Sequence, residues 1–251
     1  MRSFFLLIFV LTSTVAFCQP AFVQTQRSYA RVAEVFNRVE DTLVKEFNEK
    51  QIAWPPKALY VRTFKYDRLM EVWVRTADNG PFQFLKSYHV CMESGTMGPK
   101  RVEGDFQVPE GFYYIDEFNP NSNYHLSLGI NYPNASDRIL SDQTQPGGDI
   151  YIHGNCVSTG CLAITDVPIE ELYIMGSYAR SAGQDFIPVH VFPVKYDVKK
   201  SMDYLNETTK ENKPLKEFAL NLKHAFDYFE EKKQLPIIMI NKKGEYIISG
   251  Q

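Results

Sequence analysis

Tyr151-Ile152-His153-Gly154-Asn155-Cys156-Val157-Ser158-Thr159-Gly160-Cys161-Leu162-Ala163-Ile164-Thr165-Asp166 is the stretch on which the reading of this chain turns. A histidine and a cysteine lie eight residues apart, each beside a glycine, with apolar residues before and after. Thiolate, not thiol, is the nucleophilic form of cysteine, and an ordinary pKa of ~8.5 leaves it mostly protonated at neutral pH. A nearby imidazole can take that proton, and a glycine before the cysteine lets a carbonyl approach the backbone closely. The pattern points to cysteine–histidine acyl-transfer chemistry. Two blander readings compete with it. A buried cysteine is commonly a small inert hydrophobe. His153, Cys156 and Cys161 could instead be three zinc ligands, but no second pair at zinc spacing completes a closed site, so neither metal nor cofactor is expected.

Working outward, Asp149–Ile152 reads as a short strand feeding this stretch. Asp166, followed by Pro168, Glu170 and Glu171, reads as the capped start of a helix running toward Ala182-Gly183. Phe186–Val194 is a further strand. Upstream, Ala58–Phe64, Leu69–Thr76 and Phe82–Met92 are rich in β-branched and aromatic residues, with turn material between them. Phe112–Ile115 and Tyr124–Tyr132 follow. In the latter, alternation puts Leu126, Leu128 and Ile130 on one face and His125, Ser127 and Gly129 on the other, toward a cleft or solvent. Residues 133–148 are polar and turn-rich and read as a rim loop. Ser28 to Lys50 spaces Tyr29, Val32, Val35/Phe36, Val39, Leu43 and Phe47 as an amphipathic helix. From about Tyr196 the pattern changes: Leu215–Glu230 has helical spacing, and Ile237–Ile240 and Tyr246–Ile248 make a small hairpin.

The composition, 44% hydrophobic and 23% charged, is that of a globular chain, and a net charge of -3 gives no basic footprint for nucleic acid. Residues 1–18 differ in kind: Arg2, an apolar run from Phe4 to Val10, and Ala16-Phe17-Cys18 as a small-residue exit. This is the layout of a secretory leader, and the run falls short of the ~20 residues that span a membrane. Bulky Phe17 argues against a lipid anchor on Cys18. Export leaves Cys91, Cys156 and Cys161, an odd number, so one thiol stays free unless another chain pairs with it. Cys91–Cys156 would leave Cys161 free, whereas Cys156–Cys161 or Cys91–Cys161 would lock it, and the sequence does not choose.

Ile152-His153-Gly154 followed by Ser158-Thr159-Gly160-Cys161 resembles the active-site signature of the L,D-transpeptidase (YkuD-type) family. The YafK-like branch is closer still, through Gly98-Pro99-Lys100-Arg101, Glu103-Gly104-Asp105, Val108 to Tyr113, Asn119-Pro120-Asn121-Ser122, Tyr124-His125-Leu126-Ser127 and Tyr132-Pro133-Asn134. Two departures from the general pattern, a short His-to-Cys spacer and Thr159 in place of His, are shared by that branch. The resemblance implies a β-rich α+β fold of twisted, partly closed mixed sheets. After the leader at 1–18 and the N-terminal helix at 19–54, it implies a catalytic domain at 55–195 and a packed C-terminal helical extension at 196–251.

The resemblance also implies roles. Cys161 would attack the carbonyl of a meso-diaminopimelate in a peptidoglycan stem peptide, with His153 as proton acceptor and donor. The Gly154 carbonyl would orient the imidazole, and the N–H groups of Gly160 and Cys161 would face the oxyanion. Arg101 is the expected carboxylate fork, with His125, Asn155 and Ser158 as further substrate contacts. Implied partners are peptidoglycan stem peptides and a peptidoglycan-linked envelope protein, at the periplasm or cell envelope. An amine acceptor would give transpeptidation, water would give hydrolysis, and a silent cleft would leave a binding module.

Overall fold

The computed structural model describes residues 22–250, so the leader expected at 1–18 lies outside the described residues, as does Cys18. In chain order the elements are α1 (Phe22–Arg27), α2 (Ala30–Glu49), β1 (Ala58–Phe64), β2 (Leu69–Arg75), β3 (Gln83–His89), β4 (Gly111–Asn119), β5 (Ser127–Ile130), α3 (Ala135–Leu140), β6 (Tyr151–His153), β7 (Leu162–Ala163), α4 (Asp166–Ser181), β8 (Ile187–Phe192), α5 (Lys199–Thr208), α6 (Lys213–Lys232), β9 (Ile237–Ile240) and β10 (Tyr246–Ser249). Strands β1 to β8 form one mixed sheet in the order β3-β2-β1-β8-β4-β5-β6-β7, and β9 and β10 make a separate hairpin.

Every residue of β1 is buried, because the middle of the sheet is covered on both faces. Alternation sorts the two sides. Leu59, Val61, Val72, Val74, Val189 and Val191 join a core with Val32, Val35, Phe36, Val39, Leu43 and Phe47 of α2 and with Ile169, Leu172 and Met175 of α4. On the other side Tyr60 and Trp73 meet Phe229 of α6, with ring centroids 4.7 and 4.9 Å apart. Phe64 and Phe192 meet Phe226 there. The result is three layers, with the sheet between an N-terminal and a C-terminal helical layer.

A buried cation joins sheet to C-terminal layer. Arg62 is 2% exposed, donates from Nε to Glu71 Oε2 (2.6 Å) and from Nη2 to Glu230 Oε1 of α6 (2.5 Å). Phe64, Trp73, Phe226 and Phe229 surround its guanidinium, each ring centroid within 5.4 Å.

The sheet also closes on itself. Just beyond β3, the Cys91 N–H donates to the Ala163 carbonyl (2.9 Å) and the Ala163 N–H to the Met92 carbonyl (3.2 Å). Since β3 and β7 are the two ends of the strand order, these bonds curl the sheet into the partly closed form expected.

Three helices depart from the sequence reading. α1 and α5 were not expected, and α3 lies inside residues read as a rim loop. α3 is nucleated by a reciprocal capping box, with Asn134 Oδ1 accepting from the Asp137 N–H (3.0 Å) and Asp137 Oδ2 from the Asn134 N–H (3.2 Å).

Replacing Arg62 by Ala removes the cation shared by Glu71 and Glu230, which keep only Lys195 with Trp73 and Lys233 respectively, and empties the space among four rings. A loss of about 3–5 kcal/mol in unfolding free energy is expected from urea titration, as for a broken buried pair. A loss of about 1 kcal/mol or less, the range of a screened surface pair, would mean that ring contacts alone hold α6.

Candidate active site

β6 is three residues long and bonded on both sides. It runs antiparallel to β5, with Leu128 opposite Ile152 and Ser127 opposite His153, and parallel to β7, with Ile152 beside Leu162 and His153 beside Ala163. Leu128, Ile152 and Leu162 point into the core and are fully buried. By the two-residue period of a strand, His153 and Ala163 therefore share the opposite face, and two residues back from Ala163 the same face carries Cys161 beside Tyr151. The Tyr151 N–H donates to Cys161 Sγ (3.4 Å), and the thiol donates to the Asp149 carbonyl (3.6 Å).

Parallel strands usually need a crossover of roughly a dozen residues or more, whereas here the eight residues from Gly154 to Cys161 suffice. Local bonds replace the missing length. Asn155 has φ +60, its N–H donates to Asp166 Oδ1 (2.7 Å), and its own Oδ1 accepts from the Cys156 N–H (2.6 Å). Cys156 is disulfide-bonded to Cys91, and Cys161 is the free cysteine among the described residues. Ser158 Oγ donates to the Cys161 carbonyl (2.7 Å) and accepts from the Gly160 N–H (3.2 Å). A Cβ on Gly154 would lie 2.7 Å from Asp166 Oδ1 and 2.8 Å from the Tyr124 carbonyl, so only glycine fits there. Asp166 thus does not cap α4 as expected. Thr165 is the cap residue, without a side-chain bond, and the Asp166 carboxylate reaches back to hold the loop.

His153 Nδ1 lies 2.6 Å from the Gly154 carbonyl oxygen. A carbonyl only accepts, so Nδ1 carries the proton and Nε2 keeps its lone pair. The ring of Tyr124 lies over the imidazole, with centroids 4.6 Å apart and planes tilted 32°. Burial pushes the His153 pKa below its ordinary value. Burial likewise pushes the Cys161 thiol up, and the N–H of Tyr151 and the charge of Lys100 pull it only partly back. Both effects favour a neutral thiol and a neutral imidazole at rest. Zinc is closed off by the disulfide, which removes Cys156 from the three-ligand set proposed on spacing.

The four expected substrate contacts are engaged within the chain. Arg101 Nη1 pairs with Asp137 Oδ1 of α3 (3.1 Å). His125 precedes β5 at φ +72, so strand alternation does not reach it, and its Nε2 lies 2.6 Å from Glu170 Oε1 of α4. Asn155 and Ser158 shape the loop. Three neighbours of the pair escaped the sequence reading: Tyr124 over His153, Lys100 in the field of Cys161, and Asp166 on Asn155. The Tyr124-His125 pair lay inside a motif already noted; the other two show only once the chain is folded.

Comparison with known proteins gives the family. The L,D-transpeptidase catalytic domain (YkuD) matches residues 67–191. The chain is 32% identical over 207 residues to the YafK protein of Escherichia coli strain K12, named provisionally as an L,D-transpeptidase, covering 82% of this chain and 78% of that one. The chain belongs to the L,D-transpeptidase family. The same identity holds for YafK of Escherichia coli O157:H7. Among solved structures, this L,D-transpeptidase-family chain is similar to the helical cell shape determining protein Pgp2 of Campylobacter jejuni, at TM-score 0.44 and 21% identity over 73% of each chain. Bd1075 of Bdellovibrio bacteriovorus matches at TM-score 0.40 and 19% identity, over 62% of this chain and 55% of that one.

Two outcomes follow. The rate of Cys161 alkylation by iodoacetamide should climb with pH through a midpoint above that of free cysteine, because only the thiolate reacts and burial raises the thiol. A flat rate between pH 5 and 7 (roughly, around the imidazole pKa of ~6.5) would instead indicate a preformed thiolate–imidazolium pair. Asp166→Ala removes a charged acceptor from the Asn155 N–H. It should cost ~1.5–3 kcal/mol and unprotect that amide in hydrogen exchange.

Proposed function

We propose that this chain processes peptidoglycan through a Cys161 acyl-enzyme, passing a stem-peptide acyl group to an amine. The observation that carries the reading is the combination of the Cys91–Cys156 disulfide with the His153–Gly154 bond. The one leaves the Cys161 thiol free, and the other turns the unprotonated Nε2 of an imidazole onto the same sheet face.

Cys161 Sγ attacks the carbonyl of the third stem residue, a meso-diaminopimelate, and His153 Nε2 takes the thiol proton. Because the resting pair is neutral, that transfer accompanies attack instead of preceding it. The Cys161 N–H faces the developing oxyanion. The Gly160 N–H bonds Ser158 Oγ at rest, so it joins the hole only if that bond yields. Loss of one such donor typically costs ~3 kcal/mol of barrier. Collapse releases the amine of the next residue, protonated by His153, and leaves a thioester. An acceptor amine, deprotonated by His153, then attacks the thioester and restores the thiol. Asn155, Ser158 and Asp166 position the nucleophile's loop, and the Tyr124 ring lies against the imidazole.

One route to a silent binding module, a Cys156–Cys161 bridge, is closed because Cys156 pairs with Cys91, which favours the catalytic reading. Residues 1–18 act as a secretory leader that delivers the chain to the cell envelope, a compartment where peptidoglycan and disulfides both occur.

Incubation with disaccharide-tetrapeptide muropeptides and mass spectrometry tests the reading. Dimers crosslinked between two diaminopimelates are expected, and Cys161→Ala and His153→Ala should each reduce them below detection while keeping the native circular dichroism. Tripeptide products without dimers would replace the amine by water as acceptor. Unchanged substrate with the wild-type chain would refute catalysis. Activity should fall on acidification only below the ordinary imidazole pKa of ~6.5, because burial lowers the pKa of His153 and its neutral form is the base.

A further inference from the structure

A cleft of about 550 Å³ lies between α6, the β9–β10 hairpin and the segment carrying Arg101. That is within the roughly 300–1,000 Å³ of small-ligand sites. One stripe of α6 lines it, Glu217, Phe218 and Asn221, at the three- and four-residue spacing of a helix face. Leu140 at the end of α3 and Ile247 of β10 face them, 42% and 45% exposed.

Three observations say what it would hold. Arg101 spends Nη1 on Asp137, and its side chain remains 30% exposed on this cleft, so Asp137 holds a guanidinium fork in place for a carboxylate. Asn221 donates through Nδ2 to the Tyr246 carbonyl (3.1 Å), while its Oδ1 is buried with no hydrogen-bond partner. An acceptor with no partner in the chain can be matched by water or, once the side chain turns toward the cleft, by a ligand's donor. Exposed Leu140 and Ile247 offer an apolar wall, and Glu217 and Glu245 supply negative charge for an amine. A carboxylate, an N–H, an apolar side chain and an amine together describe a peptide.

We propose that this cleft is a second peptide-binding site, which takes a short peptide with a free carboxylate on Arg101 and an N–H on Asn221. Its neighbour in sequence, Lys100, turns instead to Asp105 and into the field of Cys161, so the segment from Gly98 to Asp105 separates the cleft from the nucleophile. The cleft therefore holds peptide that is not reacting: a remote part of the stem, or of the chain attached to it. The identity of that peptide as a stem peptide rests on the function proposed above; the existence of the site does not.

The test uses the full mature chain as the Cys161→Ala variant, ¹⁵N-labelled, titrated with the synthetic tetrapeptide L-Ala-γ-D-Glu-meso-diaminopimelate-D-Ala. Saturable amide shifts are expected at Asn221, Gly244 and Ile247. Asn221→Leu and Ile247→Arg should each weaken that binding about tenfold, as should amidation of the peptide carboxylates. In the Cys161 enzyme the same two substitutions should raise KM about tenfold and leave kcat unchanged. Ile247 is exposed, so Ile247→Arg keeps the test valid even where Asn221→Leu fails to fold. Shifts confined to the surroundings of residue 161, or none at all, overturn the inference, as does binding indifferent to both substitutions. Turnover with a silent cleft defeats the cleft and leaves the proposed function standing; cleft shifts without turnover do the reverse.

Discussion

β7 is held on both sides, Ala163 bonding the segment beyond β3 and Ile164 donating to the His153 carbonyl (3.0 Å), and the position of the candidate site follows from that. On one side Ala163 pairs with His153 in β6, and on the other its N–H and carbonyl meet Met92 and Cys91 beyond β3. A two-residue strand at a free sheet edge has little to hold its register. Paired on both sides, β7 is fixed, and its register decides the chemistry. A slip of one residue would turn Cys161 into the core and Leu162 onto the open face. The Cys91–Cys156 disulfide ties the two segments that make this closure, so the same covalent bond that leaves Cys161 free also steadies the strand beside it.

Buried charge does the corresponding work on the polar side. Lys65, 4% exposed, donates to the carbonyls of Thr96 (2.8 Å), Gly98 (3.2 Å) and Val108 (2.9 Å) and pairs with Glu110 Oε1 (3.0 Å). Gln107 adds bonds from Nε2 to the Thr96 and Gly98 carbonyls. The glycine-punctuated stretch from Gly95 to Val108 is thereby fixed without regular secondary structure, and it delivers Lys100, held by Asp105 and the Val102 carbonyl, toward Cys161. None of this makes a resting thiolate, since desolvation outweighs the single cation. Reactivity has to come from the imidazole at the moment of attack, which is why the fixed tautomer of His153 matters more than the charge around it.

What the sequence revealed was what repeats locally. β-Branched and aromatic runs gave the strands, with β1 at its observed bounds; three- to four-residue spacing gave α2 and α6, and start and stop residues gave α4. The His–Gly and Gly–Cys pairings marked the stretch that carries the site. The misses are of another kind. α3 is only six residues long and polar, and its one signal was Asn134 and Asp137 three apart. α5 carries just Ser201 and Leu205 as buried residues, too few for a stripe. The Arg101–Asp137 pair was out of reach because Asp137 is 36 residues away on a helix that was itself unseen. The alternation does not extend to His125, whose positive φ falls two residues before the strand begins. The cysteine pairing depended on sheet closure, which is a property of the whole topology.

The C-terminal layer belongs to the site's architecture for the same reason. α6 is locked to the sheet by the Arg62–Glu230 pair and the rings around it, and at its first turn Leu215 lies against Gly98, where an added Cβ would be 3.4 Å from Leu215 Cδ1. Gly98 in turn is held through its N–H by Glu110 (2.7 Å) and through its carbonyl by Lys65 and Gln107. An unbroken series of contacts therefore runs from α6 through Gly98 to the segment that bears Lys100 on the Cys161 side and Arg101 on the other. That segment has no ladder of its own, so side-chain bonds from Lys65, Gln107 and Glu110 hold it from inside and Leu215 of α6 packs on it from outside. α6, which follows the matched family region, thus adds the outer support of that wall.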